Sequence, residues 1–195
     1  MNNNESYMDI PKKKNVLLLF LLSIVTLLTY TYIWYIKRSP ELNNLKTKSK
    51  LDKSLPLISL LLFILVILAA IGMVAVAKIK SVNPNPINAP IEFQILFGIE
   101  VTLILICLIV YIMMAFKVHK ILNQSLINKE SNVKLSALYT LVFNFLYLQY
   151  EINRIIDDKE GNRRTGPLIS LILLVLSAIT IGILYYLKIP SFLFA

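Results

Sequence analysis

The chain has 195 residues, of which 57% are apolar or aromatic and only 16% are charged, with a formal net charge of +9. Soluble domains average roughly 45–50% apolar and about 25% charged residues, so this composition excludes a soluble enzyme and predicts an all-α integral membrane protein. The one cysteine, Cys107, excludes a disulfide framework. Because the basic residues fall between apolar segments, the positive charge does not indicate binding to nucleic acid.

Five hydrophobic helical segments are predicted, and four of them are long and apolar enough to cross a hydrocarbon core about 30 Å thick. The five segments are residues 15–36, 55–79, 93–116, 135–156 and 167–187. The first mimics a signal peptide, but no small-residue cleavage site follows it, which predicts an uncleaved segment. It ends in aromatic residues suited to a headgroup boundary, namely Tyr30, Tyr32, Trp34 and Tyr35.

The fourth segment, residues 135–156, differs from the others because it is amphipathic. Its apolar residues recur at helical spacing: Leu138, Leu141, Val142, Phe145, Leu148, Ile152 and Ile155. The other face carries Thr140, Asn144, Tyr147, Glu151, Arg154 and Asp158. Arg154 is spaced to pair with both Glu151 and Asp158. Such a helix is predicted to lie at the membrane surface, or inside a bundle where its polar stripe meets protein or water.

Two parts of the chain match each other, which predicts an internal repeat. Residues 56–62 match residues 167–173 at six of seven positions, and Glu41-Leu42-Asn43 matches Glu151-Ile152-Asn153 at nearly the same spacing. Each unit is then an aromatic-ended segment, a Glu-x-Asn element, a basic linker and a Pro-led helix. The predicted organisation is a polar basic N-terminus (1–14), repeat unit A (15–79), a Pro-rich link with the Glu100 helix and a basic linker (80–134), repeat unit B (135–188) and a short tail (189–195).

The 20 Lys and Arg residues bear on orientation, because cytoplasmic loops carry an excess of basic residues. Counted with Lys78 and Arg154, which lie near the ends of the second and fourth segments, the non-apolar stretches hold three, six, two, four, four and one of them in chain order. If all five segments span, the sides receive 9 and 11, and if only the fourth does not span, they receive 14 and 6. If the first and fourth both enter and leave on one side, the split is 17 to 3, which favours parallel repeats with cytoplasmic basic linkers. The length of the first segment favours five spans, which is the alternative.

Two short motifs lie in the aromatic segments. Thr26-Leu27, Tyr30 and Trp34 fit the pattern Thr-Leu-Gly-x-Tyr-x-x-Tyr-Trp, and residues 147–154 fit Tyr-x-Gln-x-x-Leu-Asn-Arg. In these motifs the chain resembles a family of small prokaryotic multi-pass membrane proteins defined by a domain of unknown function. The chain departs from the first motif at Leu28, where the family usually has glycine. The resemblance implies a location in a prokaryotic cell membrane, and it brings no catalytic residues because the family has no assigned activity.

Glu100 is the acidic residue that lies well inside a strong apolar segment, where a charge costs about 2.5–3.5 kcal/mol on insertion scales. It is therefore the candidate intramembrane functional residue. The alternative is that Glu100 stays protonated, or hydrogen-bonds to Thr102, Gln94 or a neighbouring helix, and only stabilises packing.

Three further polar residues, Gln149, Asn153 and Arg154, are candidates for a structural role. Gln149 and Asn153 are one helical turn apart, so their amides can bridge to the backbone of a neighbouring segment. His119, the sole histidine, lies among lysines and is predicted to be solvated. The acids Asp157, Asp158 and Glu160 lack the spacing of a calcium loop and are predicted to form a solvated loop.

No sequence pattern of an enzyme is present. The chain has no zinc-binding His pair, no nucleophile with a base and no glycine-rich phosphate loop, so no catalytic residue, metal ligand or cofactor is predicted. The first hypothesis is a non-enzymatic scaffold, lipid-organising element or assembly subunit. The second is a small transporter or channel component that uses Glu100 as a proton or cation site. Expected partners are the lipid bilayer, anionic headgroups bound by the basic linkers, and a second copy or another membrane protein.

Overall fold

The computed structural model describes residues 11–79, 91–159 and 165–186, and all regular secondary structure in these ranges is α-helical. The predicted all-α class is therefore confirmed. The six helices are α1 (Val16–Val25), α2 (Thr29–Asn43), α3 (Ser54–Ile79), α4 (Ile91–Asn128), α5 (Ala137–Ile156) and α6 (Thr165–Tyr186). The chain divides into two compact units, Met1–Glu160 and Gly161–Ala195, and the second contains α6 alone among these helices.

The prediction of one continuous helix over residues 15–36 is wrong, because α1 ends at Val25 and α2 begins only at Thr29. The N–H of Leu28 donates to the carbonyl of Ser23 (2.7 Å) and that of Leu27 to the carbonyl of Ile24 (3.0 Å). These two bonds form the Schellman motif that terminates many helices. Leu27 (φ 47°) and Leu28 (φ 68°) both adopt the left-handed conformation, so the chain turns at the position where the resembled family has glycine.

Helices α1 and α2 form a hairpin, called here the first hairpin (residues 16–43), whose two ends lie together. The backbone N–H of Lys12 donates to Glu41 Oε2 over 3.1 Å, joining the residues just before α1 to the end of α2. The aromatic group predicted for a headgroup boundary instead lies inside the protein, since Trp34 and Tyr35 are fully buried. Their burial against α5 and α4 follows from the turn, which directs α2 back along α1.

Among the described residues, two stretches are long and apolar enough to cross a membrane, Ser54–Val76 in α3 and Phe93–Asn128 in α4. The sequence predicts that the helix containing Glu100 ends near residue 116, but α4 continues to Asn128. Its buried residues include Phe93, Glu100, Cys107, Met114 and Ile121, which are seven residues apart and so form one stripe along the helix. Ser59 Oγ of α3 lies 3.6 Å from the sulfur of Met114, which places this stripe against α3.

Helix α5 is also a hairpin, called the second hairpin (residues 137–156), because its helical geometry is interrupted at Asn144 (φ 46°, ψ −124°). The N–H of Ser136 donates to Tyr147 Oη over 2.9 Å, so the two arms fold back beside each other. The polar stripe predicted for this segment is buried except for Asp158, which is exposed, and the first arm exposes Leu138, Leu141 and Val142. Of the two predicted settings, this arrangement matches the bundle interior.

The best-packed part of the Met1–Glu160 unit lies where the hairpins begin and end. Buried residues of the linkers and of α2, α4 and α5 meet there: Leu42, Leu51, Val118, Ile121, Leu122, Leu126, Leu135, Ile152 and Ile155. Amide side chains of α4 bind the linkers, since Gln124 Oε1 accepts from the N–H of Ser49 (2.9 Å) and Asn123 Oδ1 from that of Leu135 (2.8 Å). We call this end of the unit the base.

The predicted domain boundaries coincide only partly with helix ends. Within residues 80–134, the predicted boundary between the Glu100 helix and the basic linker falls inside α4. The last turns of α4 occupy much of the predicted linker. Residues 1–10, the Pro-rich stretch 80–90, residues 160–164 and the tail 189–195 lie outside the described residues. The bounds of α3 and α6 agree with the predicted segments 55–79 and 167–187 within two residues.

Candidate functional site: a polar cluster that joins two hairpins

A cluster of polar side chains lies near the base, between the two hairpins. Trp34, Arg38 and Glu41 are spaced four and three residues apart on α2, so they share one face of the helix. Gln149 and Asn153, one turn apart on α5, face them. The backbone of Lys12 and Lys14, just before α1, completes the set. We call these seven residues the basal cluster.

Gln149 is the centre of the basal cluster and is fully buried. Its Oε1 accepts from Trp34 Nε1 (2.9 Å) and from Arg38 Nη2 (2.8 Å), while its Nε2 donates to Asn153 Oδ1 (2.8 Å). Both acceptor positions of the amide oxygen are therefore used by α2. One side chain thus connects the two hairpins across more than one hundred residues of sequence.

Arg38 carries a charge into the interior, since its side chain is 0% exposed. Its guanidinium donates to Glu41 Oε2, to the carbonyl of Lys12 and to Gln149 Oε1, and its Nε has no partner among the described residues. A buried charge is tolerated only when it is paired and hydrogen-bonded, because desolvation costs several kcal/mol otherwise. The ends of the first hairpin are thus held together by an ion pair that also binds the second.

Asn153 both donates to and accepts from the backbone of the segment that precedes α1. Its Nδ2 donates to the carbonyl of Lys14 (2.6 Å) and its Oδ1 accepts from the N–H of the same residue (3.1 Å). Asn43, its match in the predicted repeat, does the same to Leu51, with two bonds of 2.7 Å. Each asparagine therefore fixes an extended segment that leads into a helix, α1 in one case and α3 in the other.

Two pKa values are shifted at the rim of the base, outside the apolar helices. Lys13 Nζ lies 2.8 Å from Asp157 Oδ2, and this hydrogen bond holds the pKa of the Asp157 carboxyl below its usual value. Burial, and then the nearby positive charge of Arg38, lower the pKa of the Lys14 ammonium group. Both shifts follow from the hydrogen bonds and the ion pair that dock the segment 12–14 on the protein.

Arg154 lies on α5 but outside the basal cluster. It pairs with Glu151 through two contacts of 3.0 Å, and both side chains are buried. The predicted simultaneous pairing with Asp158 does not occur, because Arg154 Nη2 turns to the carbonyl of Lys159 (3.0 Å) and Asp158 approaches Lys129 (3.5 Å). The predicted group of structural residues is therefore divided between two sites.

Glu100 lies on the α4 stripe that faces α3, far from the basal cluster, and is 8% exposed. Among the described residues, no group hydrogen-bonds its buried Oε2. From the contact between Ser59 and Met114, the antiparallel register places Glu100 beside Met73 of α3.

The chemistry available in these sites is limited to hydrogen bonding and charge pairing. In the ranges that the structure describes, His, Cys, Asp and Glu form no group of three that could hold a metal ion. His119 is half-buried rather than solvated as predicted, because its Nδ1 shares a 2.8 Å hydrogen bond with Thr140 Oγ1 at the start of the second hairpin. Its contacts are those of a packing residue.

Sequence reasoning singled out Gln149 and Asn153 but missed Trp34, Arg38, Glu41 and Asn43. A signal was present for the first three, since they share a helical face that begins at an aromatic residue and ends in opposite charges. The repeated Glu-x-Asn element also indicates Asn43 as the counterpart of Asn153. The partners themselves had no local signal, because each pair is separated by more than one hundred residues.

Comparison with known proteins adds no relative, because no family model, no curated protein and no solved structure matches the chain.

Proposed function

We propose that the chain is a multi-pass integral membrane protein with a non-enzymatic, lipid-organising or scaffolding role, in which both hairpins enter the bilayer from the cytoplasmic face. The observation that carries this proposal is the basal cluster, which joins both ends of the first hairpin to the end of the second. Segments whose two ends meet on one side do not cross the membrane. The role follows from a structure built of apolar arms and buried structural contacts.

The depth of the hairpins supports partial insertion. Tyr32, one turn from the tip of the first hairpin, lies with its ring 5.1 Å from that of Phe63, the tenth residue of the 26-residue α3. Tyr35 donates to Asn144 at the tip of the second hairpin and contacts Tyr111 of α4. Ten residues of helix rise about 15 Å, half of a hydrocarbon core about 30 Å thick.

The distribution of charge supports the orientation. Most of the described Lys and Arg residues outside the hairpin arms lie at the base, in the segments 11–15, 44–53 and 129–136, at position 159 or on the basal turns of α4. Lys78 lies at the opposite end of α3. A basic surface beside apolar helices suits the cytoplasmic side and attracts anionic lipid headgroups. We therefore propose such headgroups as partners of the basic linkers. A prokaryotic cell membrane follows only from the sequence motifs and is proposed on that basis.

The proposed repeat is parallel rather than inverted. Asn43 and Asn153 each make the same pair of backbone bonds, and each follows a hairpin that turns at left-handed residues. These likenesses support a duplicated unit of hairpin, Glu-x-Asn element, basic linker and spanning helix. A parallel arrangement agrees with the charge count, whereas a transport mechanism built on inverted units requires the opposite.

Cysteine labelling tests the proposed topology. With Cys107 replaced by serine, single cysteines are placed at Asn4, Lys48, Asn132 and Asn85 and treated with a membrane-impermeant maleimide in sealed vesicles. The first three are expected to label from one side and position 85 from the other. A cysteine replacing Leu28 serves as the control, because a hairpin tip at mid-bilayer is labelled only after solubilisation. Labelling of positions 4 and 48 from opposite sides would overturn the proposal, since the first hairpin would then cross.

A second candidate function is proton or cation transfer at Glu100. The unpartnered Oε2, buried between two apolar helices, is the observation that favours it, because isolated ionisable groups at membrane depth commonly mark ion pathways. In proteoliposomes with an imposed membrane potential, a conducting chain acidifies the lumen, and Glu100→Gln abolishes the flux. Thr102→Val is the matched control, because Thr102 lies two residues after Glu100 on an exposed side of α4. Equal flux in wild type and Glu100→Gln would remove this candidate.

A further inference from the structure

We infer that the chain senses membrane curvature, because the two hairpins make it wider in the cytoplasmic half of the bilayer than in the other half. This inference rests on the proposed topology and adds a property that topology alone does not give. Near the base, the bilayer half contains α1, α2, α3, α4 and both arms of α5. Beyond the hairpin tips, the described residues of the Met1–Glu160 unit are those of α3 and α4.

Burial along the two long helices shows where the wide part ends. On α4, the buried side chains described between residues 91 and 110 are Phe93, Glu100 and Cys107, all on the stripe that faces α3. Between residues 65 and 76 of α3, no side chain reaches full burial. The remaining surface at this level is available to lipid. From Met114 toward the base, by contrast, α4 also buries Val118 and Leu122, which lie off that stripe, and α4 contacts α2 and α5 as well as α3.

The outer arms of the hairpins have the surface expected for contact with acyl chains. Helix α1 has no charged residue, and it exposes Leu17, Leu18, Phe20, Leu21, Ile24 and Val25. The tip residues Leu27 and Leu28 are 73% and 56% exposed. In water such a patch would be strongly unfavourable, so the arms lie among lipid chains. They displace lipid mainly from the basal leaflet, because the chain turns back at about the midplane, at Leu27 and Leu28.

The size of the asymmetry follows from the number of arms. A helix with its side chains is about 10 Å wide, so four additional arms add on the order of 300 Å² of cross-section to one leaflet. Any helix that crosses the whole bilayer adds equally to both leaflets and leaves this difference unchanged. A membrane whose cytoplasmic face is convex spreads the lipids of that leaflet and relieves the mismatch. The protein therefore prefers membranes that curve away from its basal side.

Sorting between flat and curved membrane tests the inference. The chain, labelled with a fluorophore at Asn132→Cys in the Cys107→Ser background, is reconstituted into giant vesicles from which narrow tubes are pulled. Copies with the base outward are expected to be enriched in the tube about twofold or more relative to a lipid dye, and copies with the base inward are expected to be depleted. An impermeant quencher distinguishes the two orientations on the same tube.

Variants of the hairpin tip give a second, independent measurement. Leu27→Lys with Leu28→Lys places charges at the midplane, which draws the tip toward the basal surface and reduces the enrichment. Leu27→Ala with Leu28→Ala is the matched control, because it keeps the tip apolar and is expected to retain sorting. Equal density of outward-facing wild type in tube and vesicle would overturn the curvature inference. If cysteine labelling still places both hairpin ends on one side, the proposed topology survives that result.

Discussion

Trp34 Nε1 donates a 2.9 Å hydrogen bond to Gln149 Oε1, which also accepts from Arg38, so one buried amide oxygen holds together the two hairpins of the chain. Neither donor has water as an alternative, because Trp34, Arg38 and Gln149 are all fully buried. A buried donor without an acceptor loses free energy that hydration supplied in the unfolded chain.

Gln149→Leu is expected to lower the free energy of unfolding by about 3 kcal/mol, because it leaves an indole N–H and a guanidinium N–H unpaired. Trp34 is the single tryptophan, so its emission reports directly on the cluster during denaturation in detergent. Gln124→Leu is the matched control, since the half-buried Gln124 accepts one neutral backbone bond and its loss is expected to cost about 1 kcal/mol. Equal stability of the two variants would contradict a central role for Gln149.

Leu28→Gly is expected to stabilise the protein by about 1 kcal/mol, because a left-handed φ of 68° strains leucine but not glycine. The measurement is the midpoint of thermal unfolding in detergent, compared with wild type. Leu21→Gly, in the interior of α1, is the control and is expected to lower stability by about 1 kcal/mol. A lower midpoint for Leu28→Gly would show that the turn is not left-handed at this residue.

Asn43→Ala and Asn153→Ala are each expected to cost about 2 kcal/mol, because each removes two backbone hydrogen bonds. Their local effects differ, since Asn153 holds the segment before α1 and Asn43 the segment before α3. Spin labels at Lys12→Cys and Lys48→Cys separate the two effects by their mobility. Asn153→Ala is expected to mobilise the label at position 12 alone, and Asn43→Ala the label at position 48 alone. Mobilisation of both labels by either variant would indicate general unfolding instead.

Acidification is expected to release the segment around Lys13. The pKa of Asp157 is lowered by its hydrogen bond to Lys13, so the stabilisation is complete above the carboxyl's unfolded pKa of about 3.9 and is lost as the pH falls through the lower folded value. The mobility of a spin label at Lys12→Cys, followed from pH 6 to pH 2, measures the release. In the Asp157→Asn variant, the label is expected to be mobile over the whole pH range. The Asp158→Asn variant is expected to keep the wild-type profile, because Asp158 approaches Lys129 and not Lys13.

The helical class followed from hydropathy, but the turns inside two of the segments did not. Residues 15–36 are continuously apolar through Leu27 and Leu28, and neither glycine nor proline marks the break. Leucine is poor at left-handed φ, so local preference predicts a continuous helix there, and tertiary contacts of α2 with α4 and α5 decide otherwise. The turn at Asn144 is less surprising, because asparagine tolerates positive φ. Its place in a polar stripe, however, predicts a continuous helix.

The extent of α4 could have been predicted more closely. Beyond residue 116, apolar residues recur at helical spacing, namely Val118, Ile121, Leu122 and Leu126. The lysines between them favour a linker instead. Lysine is a good helix former, and its side chain on the far side of an apolar stripe does not end a helix. By contrast, the partners of Gln149 had no signal in the sequence, because hydrogen bonds between distant segments follow from the fold and not from periodicity.

The docking of Lys13 on Asp157 and of Lys14 on Asn153 also sets an order of assembly. Synthesis proceeds from the N-terminus, so the first hairpin leaves the ribosome well before the side chains that hold its beginning exist. Until residues 149–157 have emerged, Arg38 lacks Gln149, and the segment before α1 can bind only Glu41 and Arg38. The earliest part of the chain is therefore among the last to reach its final contacts, and a ribosome stalled before Gln149 would present an inserted but unfastened hairpin.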